Sequence, residues 1–267
     1  CLPRSTRLTH SPSGSPPSYT SGIRAMDPKS FYNEAMPQKY GSDYEAGRWR
    51  ATPLLAAQYD MLADMMRREV VPLVRGAKRV VEVGPGPGTW TKLLLEVNSD
   101  ARYTLVDISE EMLAQARKGL AGHSNVVFVE SDLLALESSQ TFDFFFSSRS
   151  IEYMPDKHEA CRKIASLLAP GAQGALVTKM PKPLFDRLRD RSTSALHKGQ
   201  ISPAQLSRLL SEAGVFVERA RIATATVPGF GSAALNRLAY AALKRIPLFF
   251  PFTLFAESYL VTFRRPL

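Results

Sequence analysis

Cysteine and histidine are scarce in this 267-residue chain, which has two of the first and four of the second. Cys1 and Cys161 give no disulfide framework, so a reducing cytoplasm is the expected compartment. No ordered Cys/His/acid grouping has the spacing of a metal site, and no metal is expected. No run reaches the roughly 18 apolar residues of a membrane span. A long Lys/Arg block is also missing. The net charge of +9 is dispersed, so it suits solubility, an anionic lipid surface or an acidic substrate better than nucleic acid. Residues 1–25 contain no acid and no apolar stretch, which excludes a secretory signal. This Ser/Pro-rich segment, with Arg4, Arg7 and Arg24, reads as a disordered leader or as vector-derived or mis-assigned upstream sequence. Met26-Asp27-Pro28 reads as the true start.

What is present centres on Arg79 to Thr91. The β-branched run Val80-Val81-Glu82-Val83 favours an extended strand. It passes into Gly84-Pro85-Gly86-Pro87-Gly88, and a helical segment from Thr89 follows. Closely spaced glycines let backbone turn sharply and approach a ligand, and a strand–turn–helix order aims free N–H groups into the turn. The dinucleotide fingerprint needs its third glycine where Thr89 stands, which argues against a nicotinamide cofactor.

The Glu82-Val83-Gly84-Pro85-Gly86-Pro87-Gly88 pattern resembles the first motif of the class I S-adenosylmethionine-dependent methyltransferases. The resemblance covers about residues 79–263. It implies a Rossmann-like, doubly wound α/β fold with a seven-stranded sheet ordered 3-2-1-4-5-7-6, the last strand antiparallel and helices on both faces. The sequence itself supports the βαβ units. S-adenosyl-L-methionine is the implied cofactor. The turn residues Glu82, Gly84, Pro85, Gly86, Gly88 and Thr89 are the expected cradle.

Further site residues fall at the ends of later strands. The run 103–106 ends at Asp107, whose two acceptor oxygens suit the hydroxyls of a ribose. Ser109 is the expected N-cap of the next helix, with Glu110 and Glu111 in its first turn. After strand 126–129 come Ser131, Asp132 and Leu133. In the resembling family an acid here receives the adenine amino group, and Asp132 matches it. Ile108 and Met112 are expected to pack on the adenine, in a pocket that is largely apolar with a few fixed polar groups. The aromatic strand 142–146 has the apolar character of a sheet centre and ends in Ser147-Ser148-Arg149. The segment resembles the family's fourth motif, which makes Ser148 and Arg149 cofactor-side residues. Glu152 and Tyr153 follow as candidates to reach the acceptor. Glu152 either orients an acceptor hydroxyl or amine, or braces backbone. The N,D-P-P-F/Y stretch of adenine N-methylating enzymes is absent.

Residues 26–78 read as an N-terminal arm and a helix over 53–74, with Pro72 ending or kinking it. In the resembling family such arms cover the cofactor and help build the substrate pocket. Tyr40, Tyr44 and Trp49 are the candidates, Tyr44 first. The alternative is that they anchor the arm. Pro170-Gly171 is expected to punctuate before a fifth strand at 174–179. Ser202 and Pro203 open a helix that Gly214 ends. Residues 215–226 read as a twisted or broken sixth strand and 258–263 as the seventh. Residues 227–255 hold an amphipathic segment and the cluster Pro247 to Phe255. This insertion is read first as a substrate lid. A homodimer surface, a peripheral membrane contact through 247–255, and packing on the sheet edge are the alternatives.

The expected function is methyl transfer from S-adenosylmethionine to an oxygen, nitrogen or activated carbon of a small, apolar or lipid-like acceptor. The enzyme is expected to be cytoplasmic or membrane-peripheral, and no nucleic-acid partner is expected. Two rival readings are a cofactor-binding regulatory or scaffold protein without turnover, and an RNA or DNA methyltransferase, which would bind in a salt-sensitive way.

Overall fold

Val80, Val81 and Val83 are buried in strand β1, Arg79–Val83. The computed structural model describes residues 27–36, 38, 44–181 and 199–267. The leader 1–25, Tyr40, and the basic residues Arg187, Arg189, Arg191 and Lys198 lie outside the described residues. Around β1 the strands β2 (Arg102–Asp107), β3 (Val126–Glu130), β4 (Phe142–Ser148), β5 (Leu168–Lys179), β6 (Phe216–Ala225) and β7 (Ala256–Arg264) form one sheet. Its order is β3-β2-β1-β4-β5-β7-β6. Strands β1 to β5 pair in parallel, while β7 runs antiparallel to both β5 and β6. The expected topology is therefore the observed one.

Helices α1 (Tyr44–Trp49), α2 (Pro53–Met65), α3 (Thr89–Val97), α4 (Glu110–Gly119), α5 (Lys157–Leu167), α6 (Pro203–Glu212) and α7 (Ala233–Leu243) complete the architecture. Strand side chains alternate between faces, and two cores result. Val80, Phe144 and Phe146 join Trp90, Leu94 and the buried face of α2 on one side. Val81, Val83 and Phe145 join Ile164 of α5 and Leu206 of α6 on the other. No helix among the described residues is long and apolar enough to cross a membrane.

Local chemistry sets most boundaries. Thr52, Ser109, Asp156, Ser202 and Ser232 each cap a helix by accepting a backbone N–H. The helix over 53–74 continues through a wide π turn at Met66–Val70 into Val71–Val74. Pro72 lacks an N–H and crowds the carbonyl four residues back, and the wide turn relieves both. Strand β5 begins earlier than expected, since Leu168 pairs with Phe142 and the register shifts before Phe144 meets Gln173. Pro170-Gly171 is thus a bulge inside the strand, with Gly171 at φ 77°. Strand β6 carries three register shifts against β7, the irregularity expected from its sequence.

Candidate active site

The carboxyl ends of β1, β2, β3 and β4 open onto one cavity of about 830 Å³, covered by the start of the chain's described arm. Gly84 turns out of β1 at φ 70°, and its N–H donates to the Val106 carbonyl at 2.8 Å. A Cβ at Gly84 would lie 1.8 Å from Ser150 Oγ, so only glycine fits there. Gly86, at φ 56°, would direct a Cβ into open space, so the turn leaves its backbone exposed to a ligand.

Asp107 ends β2 beside this turn and is only 8% exposed. One carboxylate oxygen accepts the Gly86 N–H at 3.2 Å and the other the Ser109 N–H at 3.0 Å. Burial pushes its pKa up to about 6 against these hydrogen bonds, which act to lower it. The neighbouring wall holds Ile108, Met112, Ser131, Asp132 and Leu133. The Ser131 N–H donates to the Asp107 carbonyl at 3.0 Å, so the ends of β2 and β3 are fixed to each other. Asp132 uses one oxygen to accept the Leu134 N–H at 2.8 Å.

The other end of the cavity is lined by Tyr32, Tyr44, Arg48, Arg149, Tyr153, Lys179 and Glu257, with Ser148 below. Arg149 adopts φ 67°, a left-handed backbone rare for a residue with a side chain. Its N–H donates to the Val177 carbonyl at 2.8 Å and its Nε to Glu152 Oε1 at 3.1 Å. The Tyr32 and Tyr153 hydroxyls meet at 3.2 Å. Burial raises both phenol pKa values, helped by Tyr153 for Tyr32 and by Glu152 for Tyr153. Lys179 Nζ lies 3.6 Å from Glu257 Oε1. Glu257 is held below its ordinary pKa, because Arg149, Lys179 and Arg48 outweigh its burial.

Three expected site residues stand behind the cavity instead of lining it. Glu82 points to the α3 face, because strand alternation sends it the same way as Val80; there it accepts the Thr91 hydroxyl at 2.7 Å. Gly88 caps α3, and its Cβ position faces Leu120 at 3.2 Å. Glu152 is 2% exposed. Its second oxygen accepts Thr178 Oγ1 at 2.9 Å and the Lys179 N–H at 3.1 Å. These contacts and that with Arg149 are the ones the bracing reading expects. Residues 227–255 do not line this cavity either. Helix α7 lies on α2, where Tyr240 and Lys244 meet Asp64 at 2.8 and 3.2 Å and Arg237 meets Asp60 at 2.7 Å. Phe249 and Phe250 of the aromatic cluster are exposed.

Lys179, Glu257 and the arm start at Asp27 went unrecognised in the sequence. The last carried a signal: Asp27 followed by Pro28 is a helix N-cap, and Asp27 accepts the Lys29 and Ser30 N–H groups. From this start Asn33 reaches Ser109 Oγ at 2.6 Å and Lys29 reaches Glu130 at 2.8 Å. Among the described residues no group of three or more His, Cys, Asp or Glu is placed to hold a metal ion.

Residues 80–171 match the family model described as a methyltransferase domain. A trans-aconitate 2-methyltransferase of Methylobacterium nodulans is 33% identical over 175 residues, 63% of either chain. One from Escherichia coli is 38% identical over 111 residues, 42% of either chain. The chain therefore spans 63% and 42% of the length of these curated relatives. Among solved structures, the N-methyltransferase NodS from Bradyrhizobium japonicum in complex with S-adenosylhomocysteine superposes with a TM-score of 0.60 at 15% identity, covering 88% of this chain and 99% of that one. Magnesium protoporphyrin IX methyltransferase from Synechocystis, also with bound S-adenosylhomocysteine, gives a TM-score of 0.60 at 16% identity over 89% and 97%. These two likenesses bear on the fold. With the strand order they show a Rossmann-like methyltransferase fold, and residues 80–171 are its methyltransferase domain.

Proposed function

We propose that the chain transfers the methyl group of S-adenosylmethionine to a small acid bound in the same cavity. The observation that carries this reading is the single cavity itself: Asp107 and the Gly84–Gly86 turn lie at one end, and Tyr153, Arg149 and Lys179 lie at the other. When bound, S-adenosylmethionine supplies an electrophilic methyl on a sulfonium. Asp107 would accept the ribose hydroxyls, Asp132 the adenine amino group, and Ile108, Met112 and Leu133 would enclose the ring. The cradle fits, because Gly86 leaves its backbone open to the cavity.

The acceptor end favours a reaction without a general base, although burial lowers the pKa of Lys179 there. Its phenols are raised above their ordinary pKa by burial, and its carboxylate Glu257 lies beside Lys179. An acceptor that is already an anion near neutral pH needs no base, and the fold then acts by alignment and exclusion of water. The relatives whose name gives trans-aconitate as substrate support an acid as acceptor. Tyr32, Tyr44 and Tyr153 would position it by hydrogen bonding.

Calorimetric titration with S-adenosylhomocysteine tests the cofactor half. Asp107→Ala removes two charge-assisted hydrogen bonds worth about 1.5–3 kcal/mol each, so affinity should fall by about 100-fold or more. Equal affinity in the variant would sink the assignment.

A further inference from the structure

Three cations and two carboxylates meet at the acceptor end, and their pairing is uneven. Arg149 is paired with the buried Glu152, and Lys179 with Glu257. Arg48 makes no ion pair among the described residues and lies over the Trp49 ring at 4.2 Å. These groups feel one another: Arg48 and Arg149 both act on Glu257 and on Lys179. Among the described residues these five groups therefore carry one positive charge in excess. A bound methyl donor brings one more on its sulfonium, and that charge is consumed when the methyl leaves. Met36, Trp49, Leu55 and Met154 line the cavity beside Tyr32 and give the wall an apolar stretch, with Gln58, Ser148 and Ser150 as polar neighbours.

We propose that the acceptor is an amphipathic monocarboxylate, and that Glu257 is the residue that excludes a second or third carboxylate. The inference rests on the methyltransferase reading and narrows its acceptor. One carboxylate satisfies the single excess charge of these five groups. A second would have to face Glu257, which the Thr224 hydroxyl and the Met180 N–H hold in place at its carboxylate and backbone carbonyl respectively. Like charges brought together in a partly desolvated site are disfavoured strongly. The aromatic wall would take the apolar body of the acid. The reaction balances without a proton: a carboxylate oxygen forms the new C–O bond as the S–CH3 bond breaks, and the electron pair returns to sulfur.

The test compares octanoate and 3-phenylpropionate with trans-aconitate, following S-adenosylhomocysteine release with the full chain. The wild type should favour the monocarboxylates by at least about tenfold in kcat/KM, the equivalent of one unfavourable charge contact. Glu257→Gln keeps the shape and the Thr224 contact, and should raise kcat/KM for trans-aconitate relative to octanoate by about tenfold or more, with S-adenosylhomocysteine affinity within about twofold. A merely structural role for Glu257 would lower both acids together. Lys179→Met, the second variant, should raise KM for octanoate with little change in the inhibition constant of octanol, an uncharged competitor that is not methylated. Wild-type preference for trans-aconitate, or no product from either monocarboxylate while S-adenosylhomocysteine still binds, would overturn the inference and leave the methyltransferase reading standing. Failure of S-adenosylhomocysteine to bind would remove both.

Discussion

Glu152 is a single buried residue that ties together several parts of the cavity wall. Its carboxylate gathers Arg149 Nε, the Thr178 hydroxyl and the Lys179 N–H, and so fixes the two strand ends from which the cavity's cations project. Arg149 and these hydrogen bonds hold its pKa below the ordinary value despite burial. Breaking a buried ion pair by removing one partner strands the other charge and costs about 3–5 kcal/mol. Glu152→Ala should therefore lose roughly that much stability in urea unfolding. Glu152→Gln should lose less and keep measurable methyl transfer, because the shape and the Thr178 contact survive. Complete loss of turnover in a stably folded Glu152→Gln would instead return the residue to a chemical role. Residues of this kind limit what a sequence discloses. Asp107 is legible because a carboxylate after a β-branched run can be read locally. Glu82 and Glu152 lie just as close to the motifs, yet side-chain direction turns them away from the cavity. Lys179 and Glu257 escape because the sheet order sets β5 beside β7 without giving the register, and the register alone brings Lys179 opposite Ser258 and next to Glu257.

Elements were most legible where one period dominates. The short parallel strands and the capped helices α4 and α6 follow from alternation and N-cap chemistry, within a residue or two. The early start of β5 escaped because Pro170-Gly171 looks like a turn unless Leu168 is known to pair with Phe142. The arm is a second such case. It has little apolar periodicity, and its start is tied down by contacts that include Asn33 with Ser109, Lys29 with Glu130 and Tyr32 with Tyr153. Ser109 serves two elements, since its hydroxyl also accepts the Met112 N–H at 3.2 Å as the cap of α4. Its two roles separate experimentally. Ser109→Ala should cost about 1 kcal/mol of stability through the lost cap. Asn33→Ala removes only the contact to the arm. It should leave global stability within about 0.5 kcal/mol, while speeding proteolysis of the arm and S-adenosylhomocysteine dissociation several-fold. Unchanged dissociation in Asn33→Ala would mean that the arm does not cover the cofactor.

At the scale of the whole molecule, two carboxyl groups with raised pKa values lie at the same end of the sheet. Burial lifts Glu82 to about 7, with Asp107 adding repulsion, and lifts Asp107 to about 6. A carboxyl whose folded pKa exceeds its unfolded value binds more protons when folded, so stability falls as pH rises from the unfolded pKa through the folded one. Each group accounts for a loss on the order of 3 kcal/mol between about pH 4 and pH 7, and coupling makes the two less than additive. Glu152 and Glu257 have the opposite sign: their pKa values are depressed, so their contribution is present above about pH 4.5 and lost below it. On the proposed binding mode the cofactor would reverse the trend set by Asp107. Ribose hydroxyls would donate to the ionised carboxylate, so binding should expel its proton and strengthen as pH rises through about 6. The unliganded chain should accordingly melt at a higher temperature near pH 5.5 than near pH 7.5, and S-adenosylhomocysteine should raise that temperature more at the higher pH. Asp107→Asn should remove most of the pH dependence of the ligand-induced increment while leaving the part of the unliganded trend that belongs to Glu82. An increment equal at both pH values in the unmutated chain would show that Asp107 does not change protonation on binding, and would separate its burial from any role in holding the cofactor.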